Sequence, residues 1–174
     1  AIGHRRHDYI LASKVHYFPN LIGNDLDKAV EKSVYDSLHA LQTDYIDIMQ
    51  VHSVPANFLR NDLLTTLQGF KTLGYIRFIG ATTYGEGASL QALNSDHIDC
   101  LQVAYNLVDR EMETQVLPLA QQRDIGIIAR SVLLRGALTR RYTTAPLSLQ
   151  ELRLLLGDLD AIALTENMTL PELA

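Results

Sequence analysis

Near-continuously apolar runs alternate with segments whose apolar residues recur at helical spacing, and this alternation constrains the fold more than any other feature. The runs lie at 9–15, 45–51, 76–81, 100–105 and 125–129. A strand apolar at both parities is one covered on both faces, as in a parallel sheet. Between the first two runs, Leu26, Val30, Val34, Leu38 and Leu41 follow the i, i+4 pattern of an amphipathic helix. Leu63, Leu64, Leu67, Phe70 and Leu73 repeat it, and Ala88, Leu90, Leu93 and Val116, Leu117, Ala120 mark shorter helices. The repeat of roughly 25 to 35 residues is the size of a βα unit. No two-residue hairpin turn joins successive runs. The expected fold class is therefore α/β with a parallel sheet, in one domain over residues 1–174.

Local punctuation agrees. Asn24 or Asp25 is placed to cap the first helix, and Gly74 stands where a C′ glycine ends the second. Ser148-Leu-Gln-Glu151 and Thr169-Leu-Pro-Glu172 each read as a capping box, with Pro171 tolerated in the first turn. The second box lies so near Ala174 that the chain reads as cut, not finished. Length agrees, since a complete eight-strand barrel takes typically about 250 residues and this chain has 174.

Composition removes several function classes. With 15 Lys+Arg against 20 Asp+Glu the net charge is -5, which argues against a nucleic-acid-binding face. No apolar run approaches bilayer length, and the start AIGHRRHDYI has charges where a signal peptide needs an apolar stretch. A cytoplasmic protein is expected. Cys100 is the sole cysteine, so an internal disulfide is excluded and core packing is its simplest role. His4, His7, His16, His39, His52 and His97 lack H-x-x-x-H or H-x-x-E spacing, so no metal site is expected. Gly85-Glu-Gly87 lacks the remaining residues of a phosphate loop, and no G-x-S-x-G elbow occurs.

Ligands of parallel α/β folds bind at the carboxyl ends of the strands. Lys14, His52, Thr82 with Thr83, Gln102 with Asn106, and Arg130 with Ser131 stand there. Lys14 reads either as a strand-end lysine reaching solvent or as a cation that lowers a neighbour's pKa. His52 is a structural histidine, a donor to a carbonyl oxygen or a general acid. Gln102 is a buried amide bonded to backbone, or a holder of a planar amide ligand. Thr82 and Thr83 are most simply turn or cap residues.

Ala12-Ser-Lys-Val15, Ser37-Leu-His-Ala-Leu41, Thr43-Asp-Tyr-Ile-Asp-Ile-Met-Gln-Val-His52, the stretch from Gly74 to Tyr84, Leu101-Gln-Val-Ala-Tyr-Asn-Leu107 and Ala129 to Gly136 occur in an order that resembles the aldo-keto reductases. The closing Leu170-Pro-Glu-Leu-Ala174 fits too. The resemblance implies a (β/α)₈ barrel that transfers hydride between NADP (or NAD) and an aldehyde or ketone, a small carbonyl substrate. The family's tetrad is Asp, Tyr, Lys and His. Lys14 matches the lysine that lowers the tyrosine's pKa, and His52 the histidine that orients the carbonyl. Thr82, Thr83 and Gln102 match residues on the nicotinamide carboxamide. Arg130 stands where members place an aromatic over the ring, and Ser131, Leu133 and Arg135 fall in the segment that approaches the pyrophosphate. Ile2-Gly3 resembles the helix after the loop bearing the tetrad Asp and Tyr, so both are expected upstream of Ala1, and the eighth strand is missing. The reading is thus an incomplete barrel of about five βα units, strands three to seven, inactive alone and with sheet edges open to self-association. A non-catalytic cofactor-binding or regulatory fragment is the alternative. Another barrel enzyme holding a phosphorylated ligand near Arg135-Gly136 ranks below both.

Overall fold

A computed structural model describes residues 3–55, 59–144 and 146–174; Ile2 of the resemblance lies outside them. The strands are β1 (Ala12–His16), β2 (Ile46–Val54), β3 (Ile76–Thr83), β4 (Cys100–Ala104) and β5 (Gly126–Arg130). The helices are α1 (Gly23–Leu41), α2 (Asn61–Thr72), α3 (Gly85–Leu93), α4 (Val116–Gln122), α5 (Gln150–Thr165) and α6 (Leu170–Leu173). One sheet runs in the order β1-β2-β3-β4-β5, so each strand neighbours the next in sequence. Parallel strands cannot be joined by a tight turn, and a helix fills each crossover. This is the α/β alternation read from the sequence, five strands of a barrel that needs eight.

The described residues fall into two compact units, Ala1–Val103 with Met112–Ile128, and Ala104–Glu111 with Ala129–Ala174. In the first, the two faces of the sheet differ. Val15, Met49, Val51, Ile79, Ala81 and Leu101 are buried against the helices. Leu26, Val30, Val34 and Leu38 of α1, and Leu63, Leu64, Leu67 and Phe70 of α2, are the buried stripes that meet them. Each such side chain contributes about 1.5–3 kcal/mol when fully buried. The other face carries no helix of this unit and includes Lys14, His16 and His52, all exposed. The second unit has its own small core of Leu138, Leu156 and Leu170, with Leu107, Tyr142, Leu152 and Leu159 packed around it.

Several boundaries differ from expectation. β1 begins at Ala12, not at residue 9, because the Leu11 amide donates to Asp47 Oδ2 (2.9 Å) instead of to the ladder. α1 starts at Gly23 with Ile22 at the cap position and no side-chain cap. Asp25 sits in the first turn, where its charge still favours the helix dipole. Gly74 does take φ 83° just past α2. The Ser148 box does not form. Leu149 N donates to Pro146 O (2.9 Å), a tight turn occupies Leu147–Leu149, and α5 starts only at Gln150. The Thr169 box does form, with Thr169 N and Oγ1 both 2.7 Å from Glu172 Oε2.

Candidate functional site

Register decides which strand-end side chains share a face. Lys14 pairs with Gln50 and His16 with His52 between β1 and β2. Gln50 pairs with Gly80 between β2 and β3, and Gly80 with Cys100 and Thr82 with Gln102 between β3 and β4. Side chains alternate along a strand, so these residues share one face. It is the face opposite Val51, Ala81 and Leu101, hence the open one. Lys14, His52, Thr82 and Gln102 are therefore gathered on it, with Lys14 one layer below His52.

β2 does not stop at His52. Its register slips between Val51 and Val54, so three steps on β2 span two on β3, from Ala81 to Thr83. Ser53 takes φ 52° inside this bulge, and its amide donates to Thr82 Oγ1 (2.6 Å). A bulge re-aims the strand end it interrupts. Thr82 is buried with its oxygen already accepting, which leaves its hydroxyl hydrogen free to donate outward. Gln102 is half-buried on the adjoining strand. A hydroxyl donor beside an amide that both donates and accepts matches the pattern a planar carboxamide presents. The residues present fit a nicotinamide at this edge.

Thr83 is not brought into that cluster. It faces the helix side, where its hydroxyl shares a 2.8 Å hydrogen bond with Ser89, which donates to Gly85 O (2.8 Å). These bonds tie the end of β3 to α3.

In the second unit the chain after β5 is bent sharply. Ser131, Leu134 and Arg135 take φ 59°, 45° and 53°, and Gly136 takes 88°. Leu134 N donates to Ser131 O (2.8 Å) and Gly136 N to Leu133 O (2.7 Å). Leu133 (φ -88°, ψ 17°) followed by left-handed Leu134 is a right-then-left sequence of the kind that turns successive amides toward one concavity, though here the Leu134 and Gly136 amides are bonded within the turn. Arg135 is exposed there, and Arg130 Nη1 lies 3.5 Å from Ser131 Oγ. Asn106 is structural: Oδ1 accepts from the Val108 and Asp109 amides (both 2.9 Å), and Nδ2 donates to Ser131 O (3.3 Å).

The sequence reading passed over Gln50, Gly80 and His16. Each stands two residues from a chosen candidate or across from one in register, so period-two counting from Lys14 and His52 finds Gln50 and His16. The same counting back from Thr82 reaches Gly80.

The fold and this polar strand-end layer define part of a (β/α)₈ barrel that presents its chemistry at the carboxyl ends of its strands. A model of the aldo/keto reductase family matches residues 2–174, and the chain belongs to that family. The uncharacterized oxidoreductase YqkF of Bacillus subtilis is 30% identical over 156 residues, which cover 81% of this chain and 47% of the relative. The NADH-specific methylglyoxal reductase of Escherichia coli is 35% identical over 124 residues, covering 66% of this chain and 37% of that protein. Among solved structures, the apo form of aldo-keto reductase AKR11C1 from Bacillus halodurans superposes with a TM-score of 0.69 at 30% identity, covering 81% of this chain and 46% of its own. An aldo/keto reductase from Klebsiella pneumoniae in complex with NADP and acetate shares the fold, with a TM-score of 0.72 at 22% identity over 99% of this chain and 56% of that one. The chain spans less than half the length of these curated relatives.

Proposed function

We propose that this chain supplies the lysine, the histidine and the nicotinamide-amide contacts of an NAD(P)H-dependent carbonyl reductase site. The observation that supports it best is the register: Lys14, His52, Thr82 and Gln102 share the open face at the strand ends. A bound reduced nicotinamide supplies the hydride. Thr82 and Gln102 hold its carboxamide, His52 donates to the substrate carbonyl oxygen, and Lys14 lowers the pKa of a neighbouring phenol that gives the proton. A tyrosine near its ordinary pKa of about 10 needs such a cation to act near neutral pH. Ser131, Leu133 and Arg135 take the pyrophosphate, and Arg130 stacks on the ring. Thr83 acts through Ser89, holding the turn into α3.

Among the described residues no tyrosine occupies a strand position on the open face. The 174 residues alone are therefore expected to bind nucleotide without turnover. The relatives include an NADH-specific enzyme and one solved with NADP, so both nucleotides are candidates. A reduced, buried Cys100 suits a cytoplasmic setting.

The test is a titration of NADPH fluorescence with the purified chain, with circular dichroism reporting the fold. A saturable change, weakened about tenfold by Gln102→Leu, is expected. A folded chain that gives no saturable change would sink the proposal. Steady loss of NADPH absorbance with a ketone present would refute the absence of turnover.

A further inference from the structure

His16 closes β1 directly opposite His52 in the register, on the same open face. Its ring is fixed. Phe18 N donates to His16 Nδ1 (3.1 Å), the Tyr17 ring stacks on it at 4.8 Å, and Phe18 tilts against it at 5.6 Å. Phe18 holds φ 46°, the bend that brings its amide back to the imidazole. An Nδ1 that accepts a backbone N–H carries no proton, so the neutral ring bears its hydrogen on Nε2. Nε2 has no hydrogen-bond partner among the described residues, and the side chain is exposed. The bond to Phe18 thus fixes a donor tautomer and leaves its donating end free.

Adjacent strands are about 4.8 Å apart. The register therefore roots the His16 and His52 side chains about that far apart on one face. Hydrogen bonds of ordinary length from such a pair converge on two oxygens carried by neighbouring carbons. A single carbonyl oxygen uses only one of them.

We propose that His16 is a specificity-determining residue: it donates through Nε2 to a second substrate oxygen on the carbon beside the carbonyl held by His52, so the site prefers α-hydroxy ketones and related vicinal oxygenated carbonyls. This rests on the reading of His52 as the carbonyl donor.

Hydroxyacetone and butanone differ by a hydroxyl against a methyl and separate the two readings. Each is titrated into the chain with excess NADP⁺, which cannot reduce it, while imidazole ¹⁵N resonances are followed by NMR. Hydroxyacetone is expected to shift both His16 Nε2 and His52, and to bind about fivefold more tightly than butanone, a ratio one neutral hydrogen bond supports. Butanone is expected to shift His52 alone. His16→Phe keeps the ring bulk and abolishes the preference, whereas His16→Gln retains a donor and part of it. Equal affinities with His52 responding overturn the assignment of His16 and leave the carbonyl site standing. No response of His52 to either ketone overturns the site reading and this inference with it.

Discussion

A methyl group at Gly80 would stand 2.7 Å from Cys100 Sγ, 3.1 Å from Gln50 Cγ and 3.2 Å from Cys100 O. One of these is backbone and cannot swing away, so Gly80→Ala forces strands apart. A loss of about 1–3 kcal/mol in urea unfolding is expected. Gly69, inside α2 with nothing within 4 Å of its would-be Cβ, is the control, and Gly69→Ala should gain about 0.5–1 kcal/mol. An unchanged unfolding midpoint for Gly80→Ala would show that the layer yields. Its neighbour Gln50 is 1% exposed, and its Nε2 has no partner among the described residues. A buried donor without an acceptor costs about 1–3 kcal/mol. Gln50→Met, similar in length and apolar, should therefore be neutral or stabilising. Cys100 completes the layer. Burial, with the Asp99 charge adding to it, pushes its thiol to about 11. The folded chain favours the neutral thiol, so this contribution is present below the ordinary thiol pKa and fades as pH rises from about 9 toward 11. Labelling by a thiol reagent at mildly alkaline pH should be slow until the chain is unfolded.

Among the elements, the entry into the sheet is held by charge. Asp47 is buried in β2, and Arg6, from the short helical segment Gly3–Asp8, meets its Oδ2 at 2.7 Å. Arg77 of β3 meets Oδ1 at 2.9 Å, and both guanidinium groups lie over the Tyr45 ring, at 3.9 and 4.4 Å. Burial alone would raise the Asp47 carboxyl, but the Leu11 amide, Arg6 and Arg77 outweigh it and hold it below its ordinary value. Its stabilising effect is therefore present above about pH 4 and lost as pH falls through the depressed value. Asp47→Asn breaks a nearly buried pair and should cost about 3 kcal/mol, with a flatter acid limb in the stability profile. An unaltered acid limb would remove Asp47 from that role. Nothing local in the sequence shows that Arg6 closes on Asp47, because the contact joins residues 41 apart. The capping boxes show the same limit. Thr169 and Ser148 head equally good motifs, yet only Thr169 caps, since Ser148 lies inside the tight turn Leu147–Leu149 and Leu149, not Ser148, holds the cap position of α5. Strand and helix order were legible because period and run length are local. Boundaries at Leu11 and Ser53, and the side Thr83 faces, depend on tertiary partners. Lys14, His52 and Gln102 were legible from strand-end position, and Gln50, Gly80 and His16 from alternation along the same strands, but their gathering on one face needed the register.

For the molecule as a whole, the open face is apolar below its polar strand ends. Ile48 pairs with Phe78 and Ala12 with Ile48, so the three share a layer, and Phe78 is 51% exposed. Ile10, just ahead of β1, is 75% exposed. In a closed barrel such a layer is packed interior. Five strands cannot close the circuit, and β1 stands at the sheet's edge with backbone groups facing no neighbour in this sheet. Two terms then compete. Covering Phe78, Ile10 and the β1 edge favours association. A net charge of -5 opposes it through repulsion between copies. Salt screens the repulsion and leaves the apolar term in place. We therefore expect sedimentation velocity to show mass rising with concentration, more steeply at higher ionic strength. Phe78→Lys removes apolar area and places a cation on the face, so it should restore the monomer at low salt. A monomer at every concentration and salt would mean that the chain covers this layer itself. Association that weakens as salt rises would mean that charge pairing, not the open apolar layer, brings the copies together.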